Sequence, residues 1–389
     1  MKKSTKLASV VLAAAMVMSS LTACGGSSAG SANADATTFK IGGIGPITGG
    51  AAVYGQAVMN GAQIAIDEIN AAGGINGYQI EYNFQDDEHD VEKAVNAYNA
   101  LKDWGVQMIV GATTSDPTIA VGAMSVQDNI FQLTPSGSAV ECVQTENVFR
   151  VCFSDPNQGK ASAQYIGQNA LASKIAVIYD SSTTYSSGIY ESFATEAVNQ
   201  PFEIVAAEAF TADNATDFSV QLQKAKDAGA ELVFLPIYYE AASAILTQAD
   251  AMAFDPIFFG CDGLDGLLAV EGFNLELAEG VMLLTPFAAD ATDDLTVKFV
   301  TTYKEKYNDT PNQFAADAYD AVYAIKAAAE KAGVTPSMSA SEICDALKAS
   351  MVEITIDGLT GAGMSWEASG EPNKAPKAVI IKDGAYSAL

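Results

Sequence analysis

Short, mostly apolar runs, each followed by a helical pattern, recur along this 389-residue chain, and no other feature limits its fold so strongly. Phe39 to Gly45, Ile80 to Phe84, Val106 to Val110 and Ile130 to Thr134 make a first series. Ile175 to Tyr179, Phe202 to Ala207, Leu232 to Ile237 and Ile257 to Gly260 make a second, and Val281 to Thr285 adds one more run. A strand that is apolar at every position is buried on both faces, and alternation with helices supplies the cover, so the pattern predicts parallel sheets. After the first run, Val58, Ala62, Ala65, Ile66 and Ile69 recur at helical steps until Gly73-Gly74 ends the segment. Asp116-Pro117 opens another helix, with proline where its missing amide costs nothing. Further helices are expected over 91–104, 295–307, 314–332 and 341–350. The fold class is therefore α/β, with two doubly wound parallel-sheet lobes.

Charge narrows the function. Lys and Arg total 20 against 47 Asp and Glu, a net charge of −27, so a phosphate backbone is repelled and nucleic acid is not an expected partner. His89 is the single histidine, which leaves little for schemes built on a histidine base or a histidine-ligated zinc. The turn Gly42-Gly43-Ile44-Gly45-Pro46-Ile47-Thr48-Gly49 puts Thr48 where a dinucleotide fingerprint needs its third glycine, and Pro46 deletes an amide. Asp86-Asp87-Glu88-His89-Asp90 lacks the spacing and the glycine of a calcium loop. A match to Gly-x-Ser-x-Gly at Gly26 to Gly30 has neither a strand before it nor a helix after it. No cofactor, no metal and no enzymatic activity are expected.

The first 23 residues read as an export signal: Lys2, Lys3 and Lys6, an apolar run from Leu7 to Met18, then small residues. Leu21-Thr22-Ala23-Cys24 resembles a bacterial lipobox, which implies an extracytoplasmic protein held to the cell membrane by a lipidated Cys24. Residues 24–38 are rich in Gly, Ser and Ala and serve as a flexible tether. The other cysteines, Cys142, Cys152, Cys261 and Cys344, are even in number, which permits disulfides in an exported chain. Cys142 with Cys152 is the candidate pair, bracketing a turn at Thr145-Glu146-Asn147; four buried thiols are the alternative.

In open α/β sheets the ligand sits beyond the strands' carboxyl ends. There the first series places Gly111 to Pro117, leading into a helix N-terminus suited to an anion, and Thr134-Pro135-Ser136-Gly137-Ser138. The second series places Tyr185, Tyr238-Tyr239 and Cys261-Asp262-Gly263. An anion cradle opposite a carboxylate and tyrosines complements a zwitterion, its carboxylate at Ser115 and Ser138 and its ammonium at Asp262.

Several stretches resemble the leucine/isoleucine/valine-type solute-binding proteins of ABC transporters. They are Ile41 to Gly49, Tyr54-Gly55-Gln56, Asn60-Gly61-Ala62, Glu68 to Gly77, Gly159 in its Asp-Pro-Asn-Gln-Gly turn, Tyr185 to Gly188, Asp217-Phe218 and Ala315 to Val322. The resemblance implies two lobes joined by three crossovers, 39–153 plus 286–358 and 154–285 plus 359–389, closing on an amino acid, most simply a branched-chain aliphatic one. It implies that Ser115 and Ser138 hold the α-carboxylate and Asp262 the α-ammonium, while Ser136 and Gly137 offer backbone groups. Tyr54, Tyr185 and Tyr238 would line the cleft. The implied partners are the permease subunits, and the chain is expected to act as a monomer. Urea, a short amide or an aromatic acid in the same fold, or a sensing role, are the alternatives. Ser138 stands where threonine is usual, and the cysteines do not match the family's places.

Overall fold

The computed structural model describes residues 36–389. The expected signal peptide, Cys24 and residues 24–35 of the tether lie outside them. The first layer is built from β1 (Thr38–Gly45), α1 (Ala52–Ala71), β2 (Gln79–Asp86), α2 (Val91–Trp104), β3 (Met108–Val110), α3 (Ser115–Asp128), β4 (Phe131–Thr134) and β5 (Val148–Arg150). Its sheet is parallel throughout, in the order β2-β1-β3-β4-β5. Every residue of β3, β4 and β5 is buried, including the polar Gln132, Thr134 and Arg150, as strands covered on both faces require.

The second layer takes α4 (Asp155–Gln168), β6 (Lys174–Asp180), α5 (Thr184–Ala197), β7 (Glu203–Phe210), α6 (Ser219–Asp227), β8 (Leu232–Leu235), α7 (Tyr239–Ala251), β9 (Ile257–Gly260) and β10 (Met282–Thr285). The chain then returns to the first layer with α8 (Asp294–Tyr307), α9 (Gln313–Ala332) and α10 (Ala340–Met351), which pack on α1, on β4 and on one another. It ends back in the second layer as β11 (Lys377–Lys382) and β12 (Ala385–Ala388), giving the order β12-β11-β10-β9-β8-β6-β7. Only β11 and β12 run antiparallel to their neighbours.

Helix ends follow local chemistry. Asp90 accepts from the Lys93 amide to open α2, and Gly105 closes it in the left-handed region at φ 87°. Asn312 caps α9 through the Ala315 amide. The α9 stripe Ala315, Ala318, Ala321, Val322 and Ile325 is fully buried, and α1 meets it at Gly61. A side chain there would start 2.0 Å from the Ala315 carbonyl oxygen, so glycine lets the two backbones touch.

Two expectations need correction. The resemblance puts the return to the second layer at residue 359, whereas residues 359–374 stay with the first layer. The Trp366 indole donates to the Arg150 carbonyl (2.7 Å), the Arg150 amide donates to the Gly370 carbonyl (3.0 Å), and the Arg150 guanidinium meets Glu371 at 3.0 Å. Lys374, almost fully buried, donates to Asp317 (2.6 Å), Thr360 (2.5 Å) and the Val151 carbonyl (3.0 Å). These buried polar contacts hold the segment until β11 begins at Lys377. The candidate disulfide is also absent: Cys142, Cys152, Cys261 and Cys344 are all buried thiols. Cys142 points its sulfur at the Ser115 carbonyl (3.6 Å). Cys152 is also buried, which is the first cause raising its thiol, and it forms no bond to Cys142.

Candidate functional site

The five loops singled out in the sequence all leave strand C-termini, and the structure draws them into one closed circuit of contacts. Ser115 is the first residue of α3, and its hydroxyl oxygen accepts from the amides of Ser138 and Ala139 at 3.2 Å each. With both acceptor sites so used, its O–H is left to donate to an anion. The Ser138 carbonyl accepts the Asp155 amide (2.9 Å), which carries the circuit across the first connection into α4. One turn on, Gln158 Oε1 accepts from the Asp262 amide (3.2 Å). The Tyr185 hydroxyl donates to Asp262 Oδ1 (2.6 Å) and accepts from the Gly263 amide (3.0 Å).

Aromatic rings close the circuit. Tyr238 stacks on Tyr185 with centroids 4.8 Å apart and meets Tyr54 edge-on at 5.4 Å. Tyr54 belongs to α1 of the first layer, yet its hydroxyl donates to the Gly263 carbonyl (2.6 Å) and accepts the Tyr239 amide (3.1 Å) of the second. The Thr184 hydroxyl meets the Asp116 carboxylate across the same gap. The two layers are thus held face to face over the site, and Tyr54, Ser115, Ser138, Tyr185 and Asp262 are all buried.

Burial sets the electrostatics. It pushes the Asp262 carboxyl up to about 7, with the Tyr185 and Gln158 hydrogen bonds pulling it partly back. A cation placed beside it would favour the ionised form. The Tyr185 phenol is raised well above its ordinary value, first by burial and then by the charge of Asp262, so it stays a neutral donor. Ser136 donates to the Thr113 carbonyl (2.5 Å), which pins its loop to the one before it.

One site expectation is modified. Gly137 gives its amide to Thr134 Oγ1 (2.8 Å) and its carbonyl accepts from Arg150 (3.2 Å), so its amide is committed within its own loop. Two residues were missed by sequence reasoning, Asp155 and Gln158; both lie in the Asp155-Pro-Asn-Gln-Gly159 turn, whose acid reads as an ordinary first-turn residue of a helix. His89 was passed over as part of an acidic loop, yet its ring sits edge-on to Tyr238 at 5.3 Å and its Nδ1 lies 2.9 Å from Thr114 Oγ1. Among the described residues no group of three or more His, Cys, Asp or Glu side chains could hold a metal ion.

Residues 38–385 match the periplasmic binding protein family over almost the whole described chain. This chain is a periplasmic binding protein. It is 30% identical to the Leu/Ile/Val-binding protein homolog 3 of Brucella melitensis, over 80% of this chain and 84% of that one. It is likewise 30% identical to the leucine-, isoleucine-, valine-, threonine- and alanine-binding protein of Pseudomonas aeruginosa, over 82% and 84%. The solved branched-chain amino acid transporter substrate-binding protein LivJ of Streptococcus pneumoniae, in complex with isoleucine, superposes with a TM-score of 0.81. It is 31% identical, covering 90% of this chain and 98% of that one. Periplasmic binding proteins of this kind have the type I fold, which the two mainly parallel sheets reproduce, and work outside the cytoplasm.

Proposed function

We propose that this chain is the solute-binding component of an ABC importer, taking a branched-chain aliphatic amino acid between its two lobes and delivering it to the permease. The observation that carries this reading is the polarity of the buried circuit. A serine hydroxyl freed to donate stands at the start of α3, and Asp262 with its Tyr185 partner belongs to the opposite layer. The first suits a carboxylate and the second an ammonium. Ser115 and Ser138 hold the carboxylate, Asp262 the ammonium, and Tyr54, Tyr185 and Tyr238 wall the side chain. The relatives' Leu/Ile/Val binding favours an aliphatic side chain in that space.

In this mechanism the amino acid first docks on the layer carrying Ser115 and Ser138. Rotation about the three connections then brings Asp262 and the tyrosines over it. The Tyr54–Gly263 and Thr184–Asp116 contacts latch the closed shape that the permease recognises. The chain acts as a monomer, without chemistry on its ligand.

The test is a thermal melt of the purified chain with each of the twenty amino acids, urea, a short amide and benzoate. Ligand at 100 times its dissociation constant adds about 2.7 kcal/mol to stability. A shift with Leu, Ile or Val is expected; a shift with urea, the amide or benzoate alone overturns the reading.

Binding should also depend on pH. The free Asp262 carboxyl, raised to about 7 by burial, is protonated at lower pH, and an ammonium beside it favours the ionised form. Binding below about pH 7 therefore releases a proton, so affinity falls as pH is lowered, by up to about tenfold per unit, and is flat above. Calorimetry in two buffers of different ionisation enthalpy measures that proton; equal heats at pH 5.5 would count against Asp262.

Cys24 is proposed as the lipid anchor, on the strength of Leu21-Thr22-Ala23-Cys24 following the basic and apolar stretch. Cys24→Ser should move the exported chain from the membrane pellet to the soluble fraction, and a variant that stays in the pellet would refute it.

A further inference from the structure

Arg150 is the single arginine of the chain, and its whole side chain is buried. A guanidinium keeps its charge in any surroundings and is costly to bury without a full set of partners, so its neighbours show what it serves. Nη1 donates to the Gly137 carbonyl (3.2 Å) and to the Ser138 carbonyl. Nη2 meets Glu371 Oε1 at 3.0 Å, outside hydrogen-bond geometry, and Nε has no partner among the described residues. The Glu371 side chain is itself 33% exposed, so water screens part of its charge. The buried cation is only partly answered.

The guanidinium could instead serve to hold residues 359–374. That reading does not hold, because Trp366 and Gly370 bond the carbonyl and the amide of residue 150, groups that any side chain at this position would leave in place. What the arginine adds is spent on the loop. The Ser138 amide of that loop donates to Ser115, and with the Gly137 and Ser138 carbonyls both committed to Nη1, neither is free to turn its negative end on a carboxylate bound at Ser115. The two loops read as the carboxylate cradle, 111–117 and 134–138, contain no Lys or Arg of their own. Yet the charge of Arg150 is felt around them. Burial raises the Asp155 carboxyl and the Cys142 and Cys152 thiols, and the Arg150 charge opposes the rise in all three. A charge in a dry interior acts across such gaps far more strongly than in water.

We propose that Arg150 is a positioning residue for the ligand's carboxylate. It fixes the Gly137 and Ser138 peptides and supplies the positive charge that the two loops lack, while Glu371 sets how much of that charge is left for the ligand. The site then prefers a free carboxylate over an amide of the same shape, with no cation touching the ligand. This rests on the amino-acid reading above and names the residue that makes the acid group count.

The experiment compares L-leucine with L-leucinamide, in which a neutral amide replaces the carboxylate, by calorimetry on the wild-type chain and on Glu371→Gln, Arg150→Gln and Arg150→Lys. Glu371→Gln removes the charge that competes with the ligand. It should tighten leucine by about threefold, the worth of a part-exposed ion pair, and leave leucinamide unchanged. The same variant should melt lower than wild type without ligand, because a buried guanidinium has lost its counter-charge. Arg150→Gln should lose about tenfold or more for leucine and far less for leucinamide. Arg150→Lys, which keeps the charge but not the fork, should recover part of that loss.

A purely structural role would weaken both ligands together in Arg150→Gln, or leave leucine no tighter in Glu371→Gln, and either result overturns the proposal. Should the Arg150 variants fail to fold, or leucinamide bind too weakly to measure, Glu371→Gln decides alone, since its affinity for leucine must rise. A wild-type chain that binds none of the twenty amino acids fails at the earlier step, before any variant is made, and takes the amino-acid reading with it.

Discussion

Replacing Asp262 by alanine is expected to weaken amino-acid binding by about 2 to 5 kcal/mol, roughly thirty-fold to several thousand-fold. The size follows from where the charge sits. Asp262 is 3% exposed and its Oδ1 already holds the Tyr185 hydroxyl, so removing the carboxylate leaves a desolvated ammonium with less to compensate it and a phenol without its acceptor. Tyr185→Phe removes a neutral hydroxyl that donates to Asp262 and accepts from the Gly263 amide, and should cost about 0.5 to 1.5 kcal/mol. Calorimetry with leucine orders the two. Near-normal affinity in Asp262→Ala would take the ammonium away from this residue, while an equal loss in both would show that orientation by the phenol matters as much as charge.

The second large effect concerns stability. Lys374 and Asp317 form an ion pair with 1% side-chain exposure on each partner, and the lysine also reaches Thr360 and the Val151 carbonyl. Lys374→Ala strands a buried carboxylate and should destabilise the chain by about 3 to 5 kcal/mol, whereas replacing both partners with well-packed apolar residues, as in Lys374→Met with Asp317→Leu, should cost far less. Urea denaturation of the three chains tests this. If the single variant is as stable as wild type, the pair is not what holds residues 359–374 against the first layer. Asp320 gives that segment a second hold, accepting from the Leu359 and Thr360 amides at 2.8 and 2.9 Å, so some packing should survive.

Much of the architecture can be read along the chain because parallel strands advertise themselves: β3, β8 and β9 are apolar at every position and buried at almost every one. Where burial is not carried by apolar residues, the reading runs out. β5 is three residues long and includes Arg150, and the 359–374 segment is held by Trp366, Gly370 and Lys374 through single polar contacts that have no periodicity. The candidate site divides the same way. Ser115, Ser138, Tyr185, Tyr238 and Asp262 stand where strands end, a position the alternation of strand and helix already marks. Asp155 stands at a helix start, where acids are common for a different reason. Only the lack of any partner for its carboxylate sets it apart, and that is a property of three dimensions. The cysteines make the converse point: an even count allows pairing, but Cys142, Cys152, Cys261 and Cys344 are all free, buried thiols.

The order in which the layers are threaded bears on how such a chain matures. The first sheet has all its strands by Arg150, yet its covering helices α8 to α10 are not supplied until Met351, and the second sheet waits for β11 and β12 at Lys377–Lys382 and Ala385–Ala388. A chain emerging from the export channel amino end first therefore cannot finish either half until nearly all of it is across. Both halves then come to completion together, in one late step, with the apolar strands of each exposed to aggregation or to proteases beforehand. Losing the last dozen residues would consequently damage the half that begins at Asp155, more than two hundred positions upstream.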